Sequence, residues 1–319
     1  MPKFQDITVG KVNLRVALQG EGPLVVMVHG FPESWYSWRH QVGPIAQAGF
    51  RACAMDVRGY GGSDKPQAVA DYSLECLSGD VAGLIAALSP AEPAVVIGHD
   101  WGAPIAWTTA LVHPKRVRAV AGLSVPYTGI PTRSLNELID AVYTQHGRFF
   151  YQRYFAAEGV AEAEFEADVR GGLRRFYYAW SGDAPSGTWP EDKKIGDCAL
   201  TGVPDPDPFP PWLSEDDIDF YVAEFERSGF RGPLNRYRNH DRDFAFLQGF
   251  RGRRIEQPAL FVAGARDGVL RMFGDLLPLM RSELPNLQGL HLLEGCGHWT
   301  QQERPELVNG HLVAWLRAL

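Results

Sequence analysis

Gly98-His99-Asp100-Trp101-Gly102 is the stretch on which the fold reading turns. It follows Ala94 to Gly98, a short apolar run of the buried-strand type, and leads into Trp101 to His113, whose apolar spacing predicts a helix. Strand, sharp turn and helix in that order form the nucleophile elbow G-x-S-x-G, here with Asp in the Ser place. Glycine at both ends of the turn lets it close tightly enough to lift the central side chain clear of the sheet. An isolated Gly-x-Asp-x-Gly would also suit an ordinary turn, so the flanking strand and helix carry the reading.

Outward from that point, further β-rich runs alternate with helical patterns, the signature of an α/β fold with a mainly parallel central sheet flanked by helices. Strands are predicted at Leu24 to Val28, Arg51 to Met55, Val117 to Ser124, Ala259 to Gly264 and Gly289 to Leu293, and helices at Ser34 to Gln47 and Leu74 to Leu88. From Thr128 to Gly249 the rhythm changes to aromatic and charged helical segments without a legible parallel strand, and it resumes at Ala259. A chain of 319 residues has length for about two domains. The resumption favours a core domain of residues 1–127 and 250–319 interrupted by an inserted, mostly helical cap of residues 128–249. Within the insertion, Gly202 to Trp212 carries Pro204, Pro206, Pro208, Pro210 and Pro211 and reads as an extended strap. Ser214 with Asp217 then forms a capping box opening a helix over Glu215 to Arg227.

Composition narrows the function classes. The net charge of -7 and pI near 5.7 argue against a nucleic-acid binder, and Arg251, Arg253 and Arg254 read as a solvated loop. No apolar run exceeds the length of Leu24 to Val28, so no membrane span is expected. Met1 to Gly10 lacks the apolar stretch of a signal peptide, which makes the cytoplasm the expected compartment. Cys53, Cys76, Cys198 and Cys296 show no CxxC spacing; free thiols are expected, and neither a metal site nor a cofactor is.

Three further segments supply chemistry around Asp100. His29-Gly30-Phe31-Pro32 closes the first strong strand, where the N–H of Phe31 can join that of Trp101 in an oxyanion hole, Pro32 having no N–H to offer. Gly297-His298-Trp299 follows the last strand and offers a base, and Asp267, just past Ala259 to Gly264, offers the acid that orients it. The alternative place for that acid, after Val117 to Ser124, holds Val125, Pro126 and Tyr127, so no carboxylate competes.

Aspartate in the elbow selects the electrophile. A serine attacking a saturated carbon would leave an ether that the site could not cleave, whereas a carboxylate leaves an ester that activated water can hydrolyse at its carbonyl. Asp100 is expected to be ionised, since the reference pKa of an aspartate is ~3.9 and a helix N-terminus favours the anion. If the leaving group is a ring alkoxide it needs an acid, and phenols with a pKa of ~10 stay protonated at neutrality. The insertion offers two aromatic stretches, Phe149 to Phe155 and Gly232 to Asn239, although such stripes also serve as ordinary core.

With these features assembled, the chain resembles the α/β-hydrolase-fold epoxide hydrolases, in particular the soluble type, over nearly its whole length. The matching segments are HGFPESWYSWRHQ (His29 to Gln41), DVRGYGGSD (Asp56 to Asp64), GHDWGAPIAW (Gly98 to Trp107), FERSGFRGPLNRYRN (Phe225 to Asn239) and GCGHWTQQERP (Gly295 to Pro305). The resemblance implies Asp100 as nucleophile, His298 as base, Asp267 as its orienting acid, and Tyr151 and Tyr237 as lid phenols. Tyr154, three residues on, is the alternative to Tyr151. It also implies a cis bond at Phe31-Pro32, no cofactor, a small hydrophobic epoxide and water as co-substrates, and a role in detoxification. Asp56 and Asp64 read as turn and hydrogen-bonding residues, and His99 as a packed, hydrogen-bonded side chain, rather than as catalysts. Departures from the family pattern are few and lie mainly in Gly182 to Phe209, which leaves the epoxide range open, and the sequence assigns no oligomeric state. The rival is haloalkane dehalogenase, which uses the same Asp nucleophile; Phe31 where such enzymes often carry Asn, together with the tyrosine pair, favours the epoxide.

Overall fold

The computed structural model describes residues 2–319. Its sheet has eight strands: β1 (Lys3–Val9), β2 (Val12–Gln19), β3 (Leu24–Val28), β4 (Arg51–Met55), β5 (Ala94–His99), β6 (Val117–Leu123), β7 (Ala259–Gly264) and β8 (Leu287–Leu293). They lie in the order β1-β2-β4-β3-β5-β6-β7-β8. From β4 to β8 every neighbouring pair is parallel, while β1 and β2 pair antiparallel and β2 meets β4 antiparallel.

The continuous apolar character of β3, β5 and β7 follows from burial on both faces, where side chains of either orientation need apolar neighbours. Along β3, Val25 and Met27 face one core with Trp38, Val42, Ile45, Val308 and Leu312. Val26 and Val28 face the other, which runs through Leu77, Val81 and Ile105 into the inserted helices. Helix Pro305–Ala318 meets the sheet through Val308, Leu312, Trp315 and Leu316, the spacing of one helical face.

Several boundaries differ from the sequence reading. The hairpin β1–β2 was not anticipated, because β1 is an exposed edge strand and its residues Lys3, Gln5 and Asp6 hide the pattern. The predicted helix Ser34 to Gln47 is a 3-10 turn, Trp35–Trp38, followed by an α-helix, Arg39–Gln47, with Ser34 Oγ accepting from the Tyr36 N–H at 3.2 Å. β8 begins at Leu287, and the run expected to reach Ser124 ends at Leu123, since Ser124 turns into the left-handed region at φ 68°.

Between β6 and β7 the described residues form helices and turns with no strand of the sheet, among them Leu135–Val142, Tyr151–Ala156, Val160–Ala167, Val169–Ala179, Glu215–Ser228 and His240–Gln248. The proline-dense strap adopts neither helix nor strand. Ser214 and Asp217 form the reciprocal capping box. No helix among the described residues is long and apolar enough to cross a membrane. The fold carries the loops after β3, β5, β7 and β8 to one edge, the carboxyl ends of parallel strands, where α/β sheets place their sites.

Candidate active site

Asp100 leaves β5 with φ 50°, a left-handed conformation that a non-glycine residue adopts only when its surroundings impose it. A Cβ on Gly98 would strike the Gly102 carbonyl, and one on Gly102 would strike that of Val28, so helix Gly102–Val112 sits directly on β3 and β5. Gly30 has the same constraint toward the site, because a Cβ there would overlap the Asp100 carboxylate. The space it leaves lets the Phe31 N–H donate to Asp100 Oδ1 at 2.8 Å. The Phe31-Pro32 peptide is cis. The Phe31 ring packs edge-on against Phe155, Phe176 and Tyr237 at 5.4, 5.7 and 5.7 Å, so one residue joins the Asp100 turn to the inserted helices. Trp101 opens the helix after the turn, its ring edge-on to Tyr237 at 5.5 Å.

His298, brought from the loop after β8, is buried between two carboxylates. Its Nε2 lies 3.2 Å from Asp100 Oδ2, and its Nδ1 lies 3.0 and 3.2 Å from the two oxygens of Asp267. Asp267 is fully buried and also accepts from the Val269 N–H at 2.9 Å. Burial alone would depress the imidazole pKa; the Asp267 charge and the hydrogen bonds to both carboxylates outweigh it and hold the ring well above its ordinary value. Burial likewise opposes charge on Asp100, and the His298 bond and charge, His99 and the Phe31 N–H outweigh it, so the carboxyl sits below its ordinary range.

Two phenols face this pair from the insertion. Tyr151 begins helix Tyr151–Ala156 and Tyr237 lies in the 3-10 turn Arg236–Arg238, their rings 6.2 Å apart and both buried. Burial first and the Asp100 charge second push both phenols upward, so both remain protonated at neutral pH. Tyr154 points elsewhere: half-buried, 5.7 Å from Phe149, it lines a separate recess with Arg153 and Asp197. Two chambers meet at Tyr151. One of about 290 Å³ runs from Asp100 and Trp101 along Leu74, Trp107 and Met272; the other, of about 760 Å³, opens between Phe149, Trp180 and Trp189.

The α/β hydrolase fold family profile matches residues 23–305. The chain is 40% identical to epoxide hydrolase B of Mycobacterium tuberculosis, over 94% of this chain and 92% of that protein. It is 41% identical to bifunctional epoxide hydrolase 2 of Sus scrofa, over 96% of this chain and 53% of that longer one. Among solved structures, an epoxide hydrolase from an endophytic Streptomyces superposes with a TM-score of 0.94 at 44% identity, over 99% of this chain and 95% of that one. The chain belongs to the α/β-hydrolase-fold epoxide hydrolases.

In this epoxide hydrolase family member, a layer beneath the triad residues escaped the sequence reading. Glu33, fully buried, accepts from the Gly30 N–H at 3.0 Å, from Gln301 at 3.0 Å and Gln302 at 3.1 Å, and meets His99 Nδ1 at 2.8 Å. The other His99 nitrogen and the Ser124 hydroxyl both donate to the His298 carbonyl at 2.7 Å. His99 is thus packed and bonded as expected, and through Glu33 it ties the His298 backbone to the Gly30 turn. Glu33 stood within the HGFPES segment, but only tertiary contacts reveal its partners. Asp56 accepts from the N–H groups of Trp35 and Gly62, and Asp64 from that of Asn13, as turn residues do.

Proposed function

We propose that this protein hydrolyses epoxides to vicinal diols in two steps, the reading carried by one observation: the Asp100 carboxylate, His298 and the buried phenols of Tyr151 and Tyr237 line one cavity. Asp100 Oδ attacks an epoxide carbon from the side opposite the C–O bond. That bond breaks toward oxygen as Tyr151 and Tyr237 hydrogen-bond to it and one supplies a proton, leaving a hydroxyalkyl ester. The phenol recovers its proton from solvent.

Ester formation removes the negative charge of Asp100, one of the two carboxylates that favour the His298 imidazolium. The ring then gives up its proton more readily and, still oriented by Asp267, accepts one from water attacking the Asp100 carbonyl carbon. The Phe31 N–H already bonded to this carboxylate is placed to hold the oxyanion, joined in this account by the N–H of Trp101. As the tetrahedral intermediate collapses, the C–O bond to the substrate oxygen breaks, His298 returns the proton taken from water to that oxygen, and diol leaves with the Asp100 carboxyl regenerated and losing its proton to solvent.

The same proposal divides the chain into a hydrolase core, residues 1–127 and 250–319, and a cap, residues 128–249, with the phenols contributed by the cap. The apolar walls of the smaller chamber favour small hydrophobic epoxides, and the second chamber gives room for a substituent on the other ring carbon. The four cysteines are all free, in keeping with work in a reducing cytoplasm. The direct test is product analysis with a styrene-type epoxide and a bromoalkane. Diol from the first supports the reading; bromide release from the second without diol from the first would make the protein a dehalogenase.

A further inference from the structure

Gln152 follows Tyr151 in the first turn of its helix and is nine-tenths buried in the wall of the smaller chamber. Its amide nitrogen donates to the Tyr151 hydroxyl at 2.9 Å, while its carbonyl oxygen is buried with no hydrogen-bond partner among the described residues. Leaving such an acceptor unsatisfied forfeits the hydrogen bond it would make to water in the unfolded chain. The amide is thus committed to the phenol through its nitrogen, with its oxygen left unpaired.

We propose that Gln152 is a positioning residue for Tyr151, resting on the epoxide-opening reading above. A hydroxyl offers one proton and accepts through its oxygen. With an N–H directed into the Tyr151 oxygen, the phenolic proton must rotate away from Gln152, and the remaining direction is the space shared with Asp100 and Tyr237. When the epoxide C–O bond breaks, its electron pair passes to the ring oxygen, the Tyr151 O–H bond breaks and the new alcohol O–H forms. The transient phenolate then receives the Gln152 N–H as a charge-assisted bond, roughly twice as strong as the neutral one. The contact therefore tightens in the transition state and relaxes once the ester has formed and the phenol is reprotonated, which is the pattern that raises a rate rather than an affinity. Ester hydrolysis, which runs through His298, gains nothing from it.

The test is single-turnover kinetics with a styrene-type epoxide, resolving ester formation from ester hydrolysis in Gln152→Leu, Gln152→Met and Gln152→Glu, each in the unmodified and the Tyr151→Phe background. Gln152→Leu and Gln152→Met are expected to slow ester formation about tenfold, the worth of one such bond, with ester hydrolysis unchanged. Gln152→Glu is expected to slow it further, because a carboxylate accepts the phenolic proton instead of directing it outward. In the Tyr151→Phe background Gln152→Leu and Gln152→Met are expected to have no further effect. Equal slowing of both steps, or a Gln152 loss that multiplies the Tyr151→Phe loss, would overturn the assignment. Absence of diol from the unmodified enzyme would instead overturn the epoxide reading beneath it. Using two apolar replacements of different shape separates a packing defect in one of them from loss of the bond.

Discussion

His298 Nε2 and Asp100 Oδ2 stand 3.2 Å apart, while Asp267 holds the opposite nitrogen of the same ring at 3.0 Å. One imidazole thus spans the carboxylate that the proposed mechanism alkylates and the carboxylate that it leaves charged throughout. In the proposed mechanism this arrangement separates the two chemical steps, since attack on the epoxide draws on the Asp100 anion and the two phenols, and release of the ester requires the ring.

Replacement of His298 by Gln should therefore leave ring opening possible and stall the enzyme as the ester. General-base removal costs about 10²–10⁴-fold, so substrate should be consumed to one equivalent and then stop. Mass spectrometry of the peptide containing Asp100 should show the added mass of one intact epoxide. A variant that neither turns over nor becomes alkylated would contradict the division of labour.

Gly30→Ala tests the turn that admits Asp100. Its Cβ would occupy the position of the carboxylate, and moving the carboxylate breaks the Phe31 N–H contact of 2.8 Å. Loss of one oxyanion donor costs about 10²–10³-fold in kcat. We expect at least that loss, with the protein still folded by circular dichroism; near-normal kcat would show that the contact does not matter.

Acid should destabilise the fold through His29, which burial depresses to about 4. In the folded chain its Nε2 accepts from the Val57 N–H at 3.0 Å and Nδ1 faces the Gly30 carbonyl at 2.9 Å, so the neutral ring fits. His240, pushed down to about 3 by burial and then by Arg236, adds the same sign. Between about pH 6.5 and 4 the unfolded chain binds more protons than the folded one, and stability falls as pH is lowered through that window. The raised value of His298 works oppositely: its contribution is complete below about 6.5 and is lost only as pH climbs through the raised pKa. Tm should drop from about pH 7 to about pH 5, with a smaller drop in His29→Gln; an equal drop in that variant would exonerate His29.

The buried half of the fold was open to reading because a strand packed on both faces must be apolar at every position, as Leu24 to Val28 is. The edge hairpin was not, since β1 answers to solvent and shows Lys3, Gln5 and Asp6. Within the site, Asp100, His298 and Asp267 announced themselves by glycine-flanked or strand-end positions, and the structure brings the three together. Tyr154 stood as the alternative to Tyr151 because residues three apart on a helix share a face, and it is packing that sets Tyr151 beside Asp100 and Tyr154 against Phe149. The Glu33, His99 and Ser124 contacts beneath His298 link residues separated by 66 and more positions and leave no local pattern.

The central claim is a covalent ester on Asp100, and a single turnover in isotopically heavy water tests it most directly. With enzyme in excess over epoxide, the account predicts that the heavy oxygen enters the Asp100 carboxylate and that the diol released carries none, because the diol takes its new oxygen from Asp100. Heavy oxygen in that first diol, with Asp100 unlabelled, would mean that water attacks the epoxide directly and would contradict the account.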